Sequence, residues 1–217
     1  MNASGAFVIS WSSTKQDDPS IASGYGVFAQ RYNSSGVAQG SEFQVNTYTT
    51  GSQRWNTSAM DTAGNFIIAW NGPGITDDTN TNGGIFYKKY NASGTVTIAE
   101  TMVNTYTTST QQYPSAAMDT AGNYVITWTS SGQDGSDYGI YAQRYNTAGT
   151  KQGSEFRVNT YTNDEQGNPY IAMNNTTGFV ITWQSNLQDG GGGGLNNPKS
   201  HGIYAQRYNT TGTAQGS

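Results

Sequence analysis

Four copies of one short apolar segment decide the fold of this chain: FVISW at residues 7–11, FIIAW at 66–70, YVITW at 124–128 and FVITW at 179–183. The tryptophans that close these segments follow one another at intervals of 59, 58 and 55 residues. A fixed period of this kind is the signature of a repeat architecture, in which each unit packs on its neighbours. The sequence therefore predicts an array of similar units.

Three further series keep the same period. One closes the segments AQRYN and YKKYN with a tyrosine, one opens the segment VNTYT with a valine, and one places a methionine after an alanine. We predict a single repeat array over residues 1–217, with units at about 1–59, 60–117, 118–172 and 173–217. The residues that we interpret as structural repeat positions are Trp11, Trp70, Trp128, Trp183, Tyr32, Tyr90, Tyr145 and Tyr208.

The composition is that of turn-rich β-structure. The 217 residues include 28 glycines, 12% aromatic residues, only 11% charged residues and no cysteine. These values exclude a helical bundle, disulfide bonds and thiolate metal sites. The net charge is −4 and the ten basic residues are spread along the chain without a basic stripe, so we expect no nucleic-acid binding. We also expect no membrane insertion, because no apolar run approaches the roughly 20 residues that span a bilayer.

One full repeat contains four short strand signals separated by turn residues. They cover residues 115–118, 123–128, 139–146 and 155–162. The second signal is apolar or small on both faces, which is typical of a strand between two layers. We therefore predict an all-β fold, a β-propeller-like array of four-stranded antiparallel blades with about three and a half blades in this chain.

The connections between these strands differ in how much they vary among the repeats. The first-to-second and third-to-fourth connections are tight turns built from Asp or Asn and Gly, whereas the second-to-third connection varies in length. Because strand direction alternates, the variable loops and the fourth-to-first crossovers share one rim. Variable loops on a fixed frame often carry function, so we expect the functional site on this rim.

The repeated unit, VNTYTT…AMD..GNFVITW…YGIYAQRYN, resembles the tandem repeats of large secreted or surface-attached bacterial proteins. The resemblance covers essentially the whole chain. It implies a β-propeller-like fold, an extracellular or cell-surface location and a non-enzymatic role. Residues 1–5 match residues 60–64 at the offset that relates Trp11 to Trp70, so we expect the chain to begin inside a repeat of a longer protein.

The sequence contains no recognisable catalytic motif. His201 is the only histidine, and nucleophile-elbow, phosphate-loop and zinc-protease motifs are lacking. Asp61 and Asp119 recur as turn residues rather than as a pair of acids over a cleft, and we predict that the chain is not an enzyme. We interpret three recurring glutamates as partners in cross-strand ion pairs with three recurring basic residues: Glu42, Glu100 and Glu155 with Arg31, Lys89 and Arg144.

Aspartates gather in the variable loops, and carboxylate oxygens are the ligands that calcium prefers. No loop has the spacing of an EF-hand, and Asp-Gly pairs are also ordinary turn formers, so calcium is the one candidate cofactor and turn formation is the alternative. The candidate ligand-binding aspartates are Asp17, Asp18, Asp77, Asp78, Asp134, Asp137 and Asp189, of which Asp17, Asp18, Asp134 and Asp137 are the candidate calcium ligands.

Aromatic residues near the same rim offer flat rings for stacking on sugars. Those that recur in every repeat are explained by packing between blades, where an aromatic side chain buries about 150–250 Å². Trp55 and Tyr113 remain as the candidate ligand-binding aromatics. Seven Asn-x-Ser/Thr sequons add weak support for a glycosylated surface protein.

These observations lead to two alternative predictions of function. The first is a non-catalytic extracellular module for adhesion or for binding a glycan or cell-surface partner. The second is a structural subunit that assembles head to tail into a filament, sheath or surface layer through open strand edges. The expected partners are other copies or flanking repeats of the same protein, and glycans.

Overall fold

The structure, a computed structural model, describes residues 1–14, 16, 24–73, 83–188 and 201–216. Within these residues every regular element is a β-strand. The strands form four antiparallel sheets, which we call blades 1 to 4 in chain order. The described part of the chain contains no helix long and apolar enough to cross a membrane.

The strands follow one another across each blade in chain order. Blade 1 contains β1 (Phe7–Thr14), β2 (Tyr25–Tyr32) and β3 (Phe43–Gln44), and blade 2 contains β4 (Arg54–Met60), β5 (Phe66–Gly72), β6 (Gly84–Tyr90) and β7 (Val96–Met102). Blade 3 contains β8 (Gln111–Met118), β9 (Tyr124–Ser131), β10 (Tyr138–Tyr145) and β11 (Phe156–Arg157). Blade 4 contains β12 (Gln166–Asn174), β13 (Gly178–Asn186), β14 (His201–Tyr208) and β15 (Ala214–Gln215). The predicted all-β array is confirmed, and β1 corresponds to the second strand of the other blades.

The second strand of a blade lies between two layers of side chains, as its sequence predicts. In β9, Tyr124, Ile126 and Trp128 pack against blade 2, whereas Val125 packs against blade 4. Three apolar cores of this kind join blades 1 and 2, blades 2 and 3, and blades 3 and 4. Full burial of one large apolar side chain contributes about 1.5–3 kcal/mol, so the blades hold one another in place.

A stacked pair of aromatic rings lies in each blade near the tight turns. The ring centroids of Phe66 and Tyr90 are 4.8 Å apart with an interplanar angle of 9°, and the two residues are direct cross-strand partners. The same stack recurs as Phe7–Tyr32, Tyr124–Tyr145 and Phe179–Tyr208. At the opposite end of the second strand, Trp70, Trp128 and Trp183 are buried, and Trp11 is half-buried.

The VNTYT segment is not part of the fourth strand, so the predicted strand over 155–162 is too long. Strand β11 covers Phe156–Arg157 only. Next to it, the Asn159 side chain accepts a hydrogen bond from the Ile140 N–H at 2.7 Å and donates to the Tyr161 carbonyl at 2.8 Å. Asn46 and Asn104 make the equivalent bonds. Such local side-chain bonds compete with the β-ladder, and here they turn the chain into the crossover.

Five of the six recurring basic and acidic residues bridge neighbouring blades instead of pairing with each other, so the predicted cross-strand ion pairs are wrong. The sixth, Glu42, accepts a hydrogen bond from the Gln16 side chain at 2.5 Å. The Arg31 guanidinium donates to the Ala92 carbonyl of blade 2 at 2.8 Å, and Lys89 and Arg144 donate likewise to Thr147 and Thr210. In the other direction, the Glu100 carboxylate of blade 2 accepts from the Thr47 N–H of the preceding crossover at 2.6 Å. Glu155 accepts from Thr105 in the same way. These bonds join two blades that a cross-strand pair would not join.

We predict that Phe66→Ala lowers the free energy of unfolding by about 3–5 kcal/mol, because a fully buried ring leaves a cavity. Phe7→Ala removes the equivalent ring from the half-buried face of blade 1 and costs about half as much or less, since less apolar surface is lost to water. Urea unfolding of both variants measures the difference. Equal losses would contradict the view that the cores between blades carry the stability.

Candidate functional site

The first strand of each complete blade begins with a β-bulge. The register shifts between Arg54 and Thr57 in β4, and at the equivalent places in β8 and β12. The residues at the bulges are Trp55, Tyr113 and Asn168, with φ angles of 52°, 53° and 53°. This left-handed conformation costs a residue other than glycine about 1–3 kcal/mol. Because the bulge recurs at the same place in three blades, we interpret it as a regular structural feature of the repeat.

Buried glutamine and asparagine side chains next to the bulges hold them in place by hydrogen bonds. Gln53, Gln111 and Gln166 precede the bulges and are fully buried. The crossover asparagine donates to each glutamine, as in the 3.2 Å bond from Asn46 Nδ2 to Gln53 Oε1. Gln53 in turn donates to the Thr50 carbonyl at 3.0 Å. The glutamine and asparagine are therefore constant, whereas the bulge residues are free to differ among blades.

The three bulges open onto one groove of about 290 Å³ at the inner strands of blades 2, 3 and 4. The ring centroids of Trp55 and Tyr113 are 4.5 Å apart at an interplanar angle of 44°. Tyr170 lies in the same groove and is 72% exposed. The remaining lining residues are Asn56, Thr57, Pro114, Ser115, Asn168 and Pro169. The groove thus combines three aromatic side chains with hydroxyl and amide groups.

A second groove, of about 390 Å³, adjoins the first at Trp55. Arg54 lines it together with Asn71, Pro73 and Gln112. The Arg54 guanidinium carbon lies 4.3 Å from the centroid of the Trp55 ring, within the range of a cation–π interaction. Among the described residues that line the two grooves, Arg54 is the one that carries a charge.

The structure brings together two of the predicted site residues, Trp55 and Tyr113. It also places two residues there that were not among the sequence-based candidates, Tyr170 and Arg54. Their signal is positional, because both lie within a few residues of the buried glutamine that precedes the bulge. That signal is visible only when the three first strands are aligned on this glutamine.

Of the predicted aspartates, the structure describes Asp134 and Asp137. Asp134 Oδ1 accepts from the Ser136 N–H at 3.2 Å, and Asp134 Oδ2 accepts from Asn159 at 3.3 Å. Burial, with Asp134 nearby, raises the pKa of Tyr141 to about 12. The part of the chain that the structure describes contains no group of three or more histidine or acidic side chains that could hold a metal ion. The remaining candidates, Asp17, Asp18, Asp77, Asp78 and Asp189, lie outside the described residues, and calcium stays a prediction.

Asp61 and Asp119 lie in tight turns. The Asp61 carboxylate accepts from the Asn65 N–H at 2.8 Å and from its amide at 2.7 Å. Asp119 makes the equivalent bonds to Asn123. Both aspartates are at the opposite end of the first strand from the bulges, so neither contributes to the grooves.

Comparison with solved structures identifies this arrangement as a β-propeller-like fold. A Dyadobacter fermentans protein of unknown function matches with a TM-score of 0.62 and 12% identity, over 95% of this chain and 51% of its own. The α-L-arabinanase of Penicillium chrysogenum, solved with arabinobiose, matches with a TM-score of 0.53 and 14% identity, over 94% of this chain and 55% of its own. The chain thus spans about half the length of these structures. No protein-family model and no curated protein sequence matches it.

These comparisons correct the functional prediction. We predicted, from the lack of a recognisable catalytic motif and from the resemblance to surface repeats, that the chain acts without chemistry, as an adhesion or binding module or as a self-assembling subunit, and is not an enzyme. That prediction is wrong, because the same fold occurs in an enzyme, the α-L-arabinanase. At this level of identity the likeness carries the fold alone.

A double-mutant cycle tests the contact between Trp55 and Tyr113. We predict that the two alanine substitutions couple by about 0.5–1.5 kcal/mol in the free energy of unfolding, the range found for aromatic pairs. The backbone strain at each bulge cancels in the cycle, since each alanine occurs in one single variant and in the double variant.

The matched control for this cycle is the pair Trp55→Ala and Tyr170→Ala. Both side chains line the groove, but Tyr170 does not stack on Trp55. We expect the control pair to couple by less than about 0.3 kcal/mol. Equal coupling in the two cycles would contradict a specific Trp55–Tyr113 contact.

Proposed function

We propose that this chain is part of an extracellular carbohydrate-active β-propeller, built from repeats of a secreted bacterial protein, and that the groove at the bulges binds a polysaccharide. The observation that supports the proposal best is the convergence of Trp55, Tyr113 and Tyr170 from three different blades. These side chains share one groove only because blades 2, 3 and 4 stack with the starts of their first strands side by side.

The chemistry of the groove suits a sugar chain. Aromatic rings present large flat apolar faces, on which the C–H faces of sugars stack. The hydroxyl groups of Thr57 and Ser115 and the amide of Asn168 lie beside the rings, where they offer hydrogen bonds to sugar hydroxyls. Ligand sites commonly combine such an apolar surface with a few polar groups.

The α-L-arabinanase with the same fold suggests the first polysaccharide to test, which is arabinan. Cleavage of a glycosidic bond needs two carboxyl groups about 5–9.5 Å apart on either side of the bond. None of the described residues that line the two grooves is acidic. We therefore assign polysaccharide binding to these residues. Any reaction that accompanies binding has to be identified from its products.

The test is a binding assay of the chain against arabinan and a panel of other polysaccharides, by affinity electrophoresis and calorimetry. We expect Trp55→Ala and Tyr113→Ala each to weaken binding about tenfold or more, which corresponds to about 1.4 kcal/mol. Release of reducing ends, measured in the same samples, would identify the reaction as hydrolysis.

The control variant is Val96→Ala, which changes an exposed apolar residue of the outer strand β7. It lies on a different strand from the groove residues, and we expect unchanged binding. If the aromatic variants bind as tightly as the unaltered chain, or if no polysaccharide binds, the proposal is overturned.

A further inference from the structure

Arg54 occupies a position at which the other complete blades have no basic residue. The residues that directly precede the other two bulges are Gln112 and Gly167. The frame residues around them recur in each blade, as the buried glutamines show. A basic residue at this position is therefore specific to blade 2 and is not explained by the repeat.

The guanidinium of Arg54 contacts an aromatic ring but donates no hydrogen bond to the described part of the chain. Arg31 and Arg144 donate hydrogen bonds to backbone carbonyls of the next blade. Arg54 instead lies over the Trp55 ring at 4.3 Å and is exposed; within the described chain no carboxylate or carbonyl accepts from it. Because a contact with an aromatic ring uses none of the guanidinium's hydrogen-bond donors in a conventional hydrogen bond, its N–H groups stay available for a ligand.

The surroundings of Arg54 favour an anionic ligand. The chain as a whole carries a net charge of −4, yet the described lining of both grooves contains one positive charge and no negative one. The edge of a guanidinium matches a carboxylate with two parallel hydrogen bonds. Trp55 lies in both grooves, so a ligand that reaches Arg54 also contacts the aromatic surface.

We propose that the polysaccharide bound by this groove is acidic, and that the carboxylate of a uronic acid residue binds the edge of the Arg54 guanidinium while a neighbouring sugar stacks on Trp55 and Tyr113. This inference rests on the proposed function and adds the chemical class of the ligand. No covalent step is involved.

The test compares two forms of one glycan, an oligogalacturonide and its methyl-esterified counterpart, which differ in the charge on the uronate. Calorimetry with the chain should give an affinity at least tenfold higher for the free acid. In Arg54→Gln, which places the residue of the equivalent bulge in blade 3 at this site, the preference should disappear while the affinity for the ester is unchanged. The preference should also weaken with added salt in the unaltered chain.

Each contrary outcome has a separate meaning. Equal affinity for acid and ester, or a preference that survives Arg54→Gln, overturns this inference and leaves the proposed function standing. Tighter binding of dextran sulfate than of oligogalacturonide also overturns it, because attraction to charge alone would then explain the data. If the unaltered chain binds no glycan at all, both proposals are overturned. Equal urea midpoints for the chain and for Arg54→Gln exclude a folding defect.

Discussion

The burial of the second strands of blades 2 and 3 between two neighbouring blades is the constraint on which the structure depends. A single four-stranded sheet of this sequence would expose two apolar faces, because β5 and β9 are buried on both sides. Stacking the blades covers these faces with cores that alternate along the strand. The hydrogen bonds from Arg31, Lys89 and Arg144, and those to Glu100 and Glu155, also join each blade to the next.

The stacking of blades 2, 3 and 4 creates the candidate site. The first strands of blades 2, 3 and 4 come close enough for their bulges to share one groove. Buried asparagine and glutamine pairs hold each bulge, so the residues at the tips are relieved of a structural role and can differ. One blade presents tryptophan, the next tyrosine and the third asparagine. A repeated frame thus produces a site that is not repeated.

Much of the fold is predictable from the sequence because its determinants are local and recur. The alternation in β9 and the Asp-x-x-Gly and Asn-x-x-Gly turns are short-range patterns with short-range causes. The role of VNTYT is not predictable in this way, since its valine and threonines are typical of a strand, and only the bonds of Asn159 to Ile140 and Tyr161 turn it into a crossover. The ion pairs fail for a related reason, because residue spacing in one blade cannot reveal the carbonyls of the next.

The site was only half predictable for the same reason. Trp55 and Tyr113 can be recognised in the sequence as aromatic residues in variable segments. Tyr170 joins them because of a bulge in β12, and no local sequence motif predicts that bulge. The prediction of a non-catalytic module rested on the lack of known catalytic motifs and on a resemblance to surface repeats. The α-L-arabinanase shows that the same fold is compatible with catalysis.

The most direct test of the account is a crystal structure of the chain with a bound oligosaccharide from the polysaccharide that it binds best. We expect the rings of Trp55 and Tyr113 to contact each other and a sugar ring to lie on them in the groove between blades 2, 3 and 4. A sugar bound at another surface, or bulges whose aromatic side chains point away from one another, would contradict it.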